Sequence, residues 1–216
     1  MSDKYELYVI TDEKLPHGLR YDEIARRAVN GGADVIQLRD KELSDKEFYD
    51  VAIEIRSITI GSGTMFIVND RMDVALACKA DGVHLGQGDM PLPAARKLVP
   101  SDFIIGISVS NIGEAVLAES FGADYVALGP IFPTSSKNDA GPGVGLDSLR
   151  EMRAAVSIPL VAIGGIGASN INEVIMAGAD GVAVISAVVG QPDIAMAVRS
   201  LKTLIVRAKK DRAMIE

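Results

Sequence analysis

Four Ala-Asp pairs constrain the fold of this chain more than any other feature. Ala33-Asp34, Ala80-Asp81, Ala123-Asp124 and Ala179-Asp180 each stand just before a short apolar run, and three of the four follow a glycine. Glycine ends a helix in the left-handed conformation, and aspartate tolerates the turn back toward a sheet. The apolar runs cover 7–10, 35–38, 65–68, 82–85, 103–109, 125–128, 160–163 and 181–185, and the pairs precede every second one. Several runs are continuously apolar, as parallel strands buried on both faces are. Helical patterns fill the intervals, over 21–31, 44–60, 71–79, 91–98, 111–121, 146–155, 169–177 and 191–210. Ser44 with Glu47 forms a capping-box signature, and Pro91, Asn111 and Ser169 suit helix starts. A strand–helix–strand–helix unit of roughly 45 residues, repeated four times, predicts an α/β chain folded as a (β/α)8 TIM barrel. The barrel is expected to occupy residues 1–216 as a single domain. The alternative is a doubly wound open sheet, but Thr11-Asp12-Glu13 after the first run lacks the Gly-x-Gly-x-x-Gly of that fold.

Composition narrows the partners. With 216 residues, 48% of them hydrophobic, the chain can bury one sizeable core. Its net charge of −7 argues against a broad nucleic-acid face, so an anionic ligand has to be met by local cations and backbone amides. The single cysteine, Cys78, reads as a packed small hydrophobe. No apolar span long enough for a membrane and no basic, hydrophobic leader appear, so a reduced, cytoplasmic compartment is expected. Homo-oligomerisation is left open.

In a barrel of this kind the chemistry lies where strands run out at their C-terminal ends. The sixth run breaks at Gly129-Pro130 and Pro133 and continues as Thr134-Ser135-Ser136-Lys137. Three hydroxyls and an ammonium suit an oxyanion such as phosphate, and they also suit an ordinary turn. The glycines and proline of 138–145 suggest a loop that can close over a ligand. On strand two, Gln37, Arg39 and Lys41 are spaced to project from one face, and an arginine leaving an apolar strand calls for an anionic partner. Strand three ends in Asn69-Asp70, and strand four in His84-Leu-Gly-Gln-Gly-Asp89. Asp70 and Asp89 could form an acid–base pair. With cations nearby, the better reading is a Mg2+ site completed by ligand phosphates. His84 reads as a packed strand residue and His17 as a surface loop residue. Ser108 lies near the mouth of strand five. Gly164-Gly165 and Ile185-Ser186 offer backbone N–H groups after strands seven and eight, the usual phosphate site of this barrel. Two anion sites follow, one cationic and metal-assisted for a pyrophosphate, the other neutral for a monophosphate. Side by side, they suggest a transferase with a pyrophosphate leaving group.

The motifs Gln37-Leu-Arg-Asp-Lys41, Val68-Asn-Asp70, Val83-His-Leu-Gly-Gln87 with Asp89, Gly129-Pro-Ile-Phe-Pro-Thr-Ser-Ser-Lys137, Ile163-Gly-Gly-Ile166 and Ile185-Ser186 resemble the thiamine phosphate synthase family, in the same order and spacing over about residues 8–187. The resemblance implies a barrel enzyme that joins a hydroxymethylpyrimidine pyrophosphate to a thiazole phosphate and releases pyrophosphate. It implies that Gln37, Arg39, Lys41, Asn69 and Lys137 hold the pyrimidine pyrophosphate, that Asp70 and Asp89 bind Mg2+, and that Ser108 contacts the pyrimidine or the departing pyrophosphate. Thr134, Ser135, Ser136, Gly165, Ile185 and Ser186 would receive the thiazole phosphate, and Tyr8 would lie against the pyrimidine. Arg39, Ser108 and Lys137 are the residues expected to act on the reacting groups. The related thiazole tautomerase shares the barrel and the thiazole phosphate site, but lacks the full Gln-x-Arg-x-Lys run and the paired aspartates. A non-catalytic sensor of a phosphorylated ligand would need neither metal nor leaving-group cations.

Overall fold

The computed structural model describes residues 3–12, 18–134 and 141–215. Eight strands, β1 (Leu7–Ile10), β2 (Val35–Leu38), β3 (Met65–Asn69), β4 (Gly82–Leu85), β5 (Ile104–Val109), β6 (Tyr125–Leu128), β7 (Leu160–Ile163) and β8 (Gly181–Val184), pair in parallel in chain order. β8 pairs with β1, and the barrel closes. The expected (β/α)8 architecture is present. Around it lie α1 (Tyr21–Gly31), α2 (Asp45–Thr59), α3 (Met72–Ala77), α4 (Leu92–Ala95), α5 (Ile112–Ser120), α6 (Gly145–Ala155), α7 (Ile171–Met176), α8 (Ser186–Val189) and α9 (Ile194–Ala213). No described helix is long and apolar enough to cross a membrane.

Strand residues alternate between two cores. One face of each strand packs outward against the helices, as Leu7, Val9, Val83 and Leu85 do. The other points into the barrel, where Tyr5, Tyr8, Ile10, Ile67, Tyr125 and Val161 fill the lumen. Because the lumen is packed, ligands are left the mouth of the barrel.

Where the elements differ from the pattern, local hydrogen bonding is the reason. Residues 181–189 are almost uniformly apolar, so the short α8 is invisible to periodicity. The strand in fact stops at Val184, and Ile185 turns the chain. α9 begins later than expected because the Asp193 carboxylate accepts from Met196 N (2.9 Å). Ser169 does not start α7. Asn170 precedes it instead, and its Oδ1 accepts from Gly167 N (2.9 Å). The Ser44–Glu47 capping box and the Asn111 cap on Glu114 N are both present.

The Ala-Asp pairs turn out to be staples. Ala33, Ala80, Ala123 and Ala179 each donate from the main chain to the carbonyl five residues back, on Ala28, Ala75, Ala118 and Val174. The residue before each alanine donates to the carbonyl three back. These two bonds are a Schellman cap, which requires a left-handed residue at that position. It is Gly32, Lys79, Gly122 and Gly178, with φ of 91°, 56°, 83° and 110°. Each aspartate then clasps the first or second residue of the preceding strand. Asp34, Asp81, Asp124 and Asp180 accept through Oδ2 from Leu7 N (2.8 Å), Phe66 N (2.7 Å), Ile105 N (2.7 Å) and Leu160 N (2.8 Å). A helix-borne cation backs each one: Lys202, Arg56, Arg96 and Arg153. The ring lies where the strands begin, the end of the barrel that serves stability rather than chemistry.

Lys79 is the exception within the set, an exposed side chain where the other three caps carry glycine. A non-glycine residue in this conformation costs about 1–2 kcal/mol. Lys79→Gly therefore stabilises the fold by roughly 0.5–1 kcal/mol once the extra freedom of unfolded glycine is subtracted. A urea midpoint at or below that of the wild type contradicts this.

Candidate active site

The loop after β6 is tied down by the end of β7. Ile131 N donates to Ile163 O (2.8 Å) and Phe132 N to Gly164 O (3.1 Å). The contact is close enough to demand glycine: at Gly165 the backbone has φ 65°, and a Cβ there would stand 2.7 Å from Phe132 Cβ. Between this loop and the ends of β5, β7 and β8 opens a cavity of about 820 Å³. Ser108, Thr134, Gly165, Ile185 and Ser186 all line it, so the structure brings together residues that the sequence scatters over four strands. No Asp, Glu, Lys or Arg is among its described lining. Ser135, Ser136 and Lys137 lie outside the described residues, as do His17 and residues 138–140. Gln87 stands in the motif after β4 with no role assigned to it there. It lines the same cavity and donates from Nε2 to Ser108 O (2.7 Å).

The cationic half differs from the expected single strand face. β2 ends at Leu38, so the alternation of a strand does not carry through to residues 39 and 41. Gln37 points into the barrel, only 2% exposed, and donates to Tyr8 Oη (2.6 Å). Arg39 is half-buried and Lys41 exposed, on a turn organised by Asp40. Asp40 Oδ1 accepts from Glu42 N (2.6 Å) and Leu43 N (2.7 Å), while Tyr21 Oη donates to its Oδ2 (2.5 Å). Asp40 stands inside the Gln37–Lys41 motif, but its role is not legible there, because its partners are set by the turn and by α1.

Asn69 closes β3, and Asp70 follows with φ 62°, its N–H donating to His84 O (2.9 Å). That left-handed conformation is uncommon outside glycine, and aspartate is among the residues that tolerate it. Asp89 folds back at the end of β4, and its Oδ2 accepts from Gly86 N (2.6 Å). The two carboxylates meet. Burial, then the charge of Asp89 and a hydrogen bond with it, push the Asp70 carboxyl up to about 6, while Lys41 and Arg39 pull it down. Two hard oxygen donors pressed together, with cations beside them, fit a divalent ion of the Mg2+ type, which takes few protein ligands and fills its shell with water and phosphate oxygens. No third His, Cys, Asp or Glu joins them among the described residues.

Neither described thiol nor imidazole stands as a nucleophile. Cys78 is 3% exposed, and burial raises its thiol. His84 is packed, as expected, and its two ring nitrogens are taken up by Tyr125 Oη (2.9 Å) and Ser108 Oγ (2.8 Å).

The arrangement defines a class: a parallel (β/α)8 barrel enzyme with, at its strand ends, a cavity whose described lining is uncharged and a cluster of two carboxylates and two cations. Within that class, the chain belongs to the thiamine monophosphate synthase family, whose pattern matches residues 7–188. It is 58% identical over 207 residues to the thiamine-phosphate synthase of Methanoculleus marisnigri, covering 96% of this chain and 98% of the relative. It is 59% identical over 207 residues to that of Methanoregula boonei, covering 96% of each. The solved structure of a thiamine phosphate pyrophosphorylase from Pyrococcus furiosus superimposes with a TM-score of 0.87 at 44% identity, over 95% of this chain and 98% of the other.

Proposed function

We infer that this chain is a transferase of thiamine biosynthesis, condensing a hydroxymethylpyrimidine pyrophosphate with a thiazole phosphate to give thiamine phosphate and pyrophosphate. The observation that carries the reading is a pair of unlike groups linked through His84. Ser108, which lines the cavity, lies 2.8 Å from His84 Nε2, Asp70 N donates to His84 O (2.9 Å), and Asp70, Asp89, Arg39 and Lys41 act on one another. Arg39, Lys41, Asn69 and Lys137 hold the pyrophosphate, with Gln37 behind them in the barrel lumen. Thr134, Ser135, Ser136, Gly165, Ile185 and Ser186 hold the thiazole phosphate. Asp70 and Asp89 would hold Mg2+, which when bound supplies charge neutralisation to pyrophosphate oxygens.

With neither a thiol nor an imidazole placed as a covalent nucleophile among the described residues, the chain's task is positioning and charge stabilisation. The carbon–oxygen bond to pyrophosphate breaks, and its electron pair leaves with the pyrophosphate toward Arg39, Lys41 and Lys137. The thiazole nitrogen then bonds to the methylene carbon. A tautomerase-like isomerase or a phosphate sensor has no use for the acidic pair. A cytoplasmic setting with small-molecule partners belongs to the same reading. The test is incubation of the purified chain with both substrates and Mg2+. Thiamine phosphate and pyrophosphate appear in equal amounts, and their absence overturns the assignment.

A further inference from the structure

A file of hydrogen bonds crosses the barrel interior from β2 to β5. Gln37 Nε2 donates to Tyr8 Oη (2.6 Å), and Tyr8 Oη lies 2.9 Å from Tyr125 Oη. Tyr125 Oη lies 2.9 Å from His84 Nδ1, and His84 Nε2 lies 2.8 Å from Ser108 Oγ. Gln37, Tyr8, Tyr125 and His84 are buried, with 2%, 1%, 0% and 8% of their surface exposed, and only Ser108 opens on the large cavity. The fold makes room for this file. A Cβ on Gly106 would lie 2.0 Å from Tyr125 Cζ, and the His84 ring stacks on that of Tyr125 at 5.6 Å.

A buried hydroxyl has to give its proton to an acceptor, and an amide nitrogen can only donate. Gln37 Nε2 therefore sets the direction at one end. We propose that the whole file is polarised toward the cavity: Gln37 donates to Tyr8, Tyr8 to Tyr125, Tyr125 to His84 Nδ1, and His84, held as the Nε2–H tautomer, to Ser108 Oγ. With its oxygen already accepting from His84, Ser108 turns its own proton outward and serves as a donor to the bound substrate. Tyr8, Tyr125 and His84 are then positioning residues for Ser108. Burial raises both phenols well above their ordinary value, so they remain protonated members of the file. Each bond polarises the next, which strengthens the last donor in the line. The role of Ser108 toward substrate rests on the transferase reading given above. The tautomer of His84 does not.

The chain has two histidines, so imidazole 1H–15N correlation spectra of the ligand-free, full-length protein resolve His84 directly, with His84→Gln as the assignment control. The expected result is a proton on Nε2 and none on Nδ1. A proton on Nδ1 reverses the file and overturns the proposal, whatever the activity. In the second arm, Tyr125→Phe removes the link that orients His84, and the Nε2–H signature gives way to a mixture of tautomers. Removing a fixed donor outright costs about a hundredfold or more, so disorienting this one lowers kcat at least about tenfold while KM for the thiazole phosphate stays nearly unchanged. An unchanged kcat in this variant overturns the positioning role. Failure of the wild-type chain to form thiamine phosphate overturns the transferase reading instead, and leaves the spectroscopic result to stand by itself.

Discussion

Asp70→Asn and Asp89→Asn each lower Mg2+-dependent turnover by roughly a hundredfold or more, since metal-borne charge stabilisation is worth several kcal/mol and about 1.4 kcal/mol is tenfold in rate. Asparagine is the informative replacement. It tolerates the left-handed backbone of Asp70 at φ 62°, where alanine would add strain of its own. At Asp89 it keeps an oxygen for Gly86 N. Affinity for the thiazole phosphate is expected to change little, because the cavity proposed for it is lined by the ends of β5 to β8, with Gln87 the one residue from the β4 side. The pH dependence follows from the raised carboxyl. Asp70 keeps its proton up to about 6 in the folded chain, against 3.8 ordinarily, so between those values the folded state holds more protons than the unfolded one. The metal-free fold accordingly loses stability as pH rises through that window. Mg2+ needs the carboxylate, so its stabilising effect on Tm grows as pH rises through about 6 and fades below it. A Mg2+-induced Tm shift that is the same at pH 5 and pH 8, or that survives in both variants, refutes the metal assignment.

Asp180→Ala is expected to be the most destabilising change in the aspartate ring. Its side chain is 11% exposed, against 20%, 32% and 36% for Asp34, Asp81 and Asp124. It accepts from Leu160 N (2.8 Å) and Arg153 Nη1 (2.6 Å), and Arg212 stands 3.9 Å away. Removing the carboxylate leaves a strand N–H without its acceptor and a partly buried guanidinium without its counter-charge. Breaking such a pair from one side costs about 3–5 kcal/mol, and the residual exposure of Arg153 puts this case near the lower end. Asp180→Asn keeps an acceptor for Leu160 and loses less. Urea denaturation of the four alanine variants should rank them by burial: Asp180 first, then Asp34, then Asp81 and Asp124. Since the ring lies at the opposite end from the cavity, turnover per folded molecule is unaffected. A loss below about 1 kcal/mol, the worth of one ordinary hydrogen bond, contradicts the stapling role.

Much of this protein was legible in its sequence because the relevant physics is local. Continuous apolar runs at regular intervals specify buried parallel strands, and helix caps need particular residues at particular positions, as Ser44 and Asn111 show. Strand ends mark where chemistry-bearing residues gather, as Ser108 near the mouth of β5 shows. The alternation along a strand stops where the strand ends. Gln37 follows the pleat into the lumen, whereas Arg39 and Lys41 obey a turn made by Asp40. Residues whose partners are distant in sequence carry no local sign of them. The aspartates of the four Ala-Asp pairs read as turn formers, and only closure of the barrel brings each to a strand N–H and a helix cation. His84 reads as a packed residue, and only the closed lumen joins it to Tyr125, 41 residues away, and through Tyr125 and Tyr8 to Gln37. Spacing alone determines which residues share a face. Which of them share a hydrogen bond or a charge is decided by the tertiary structure, because burial and the closing of the sheet choose partners that no local pattern can name.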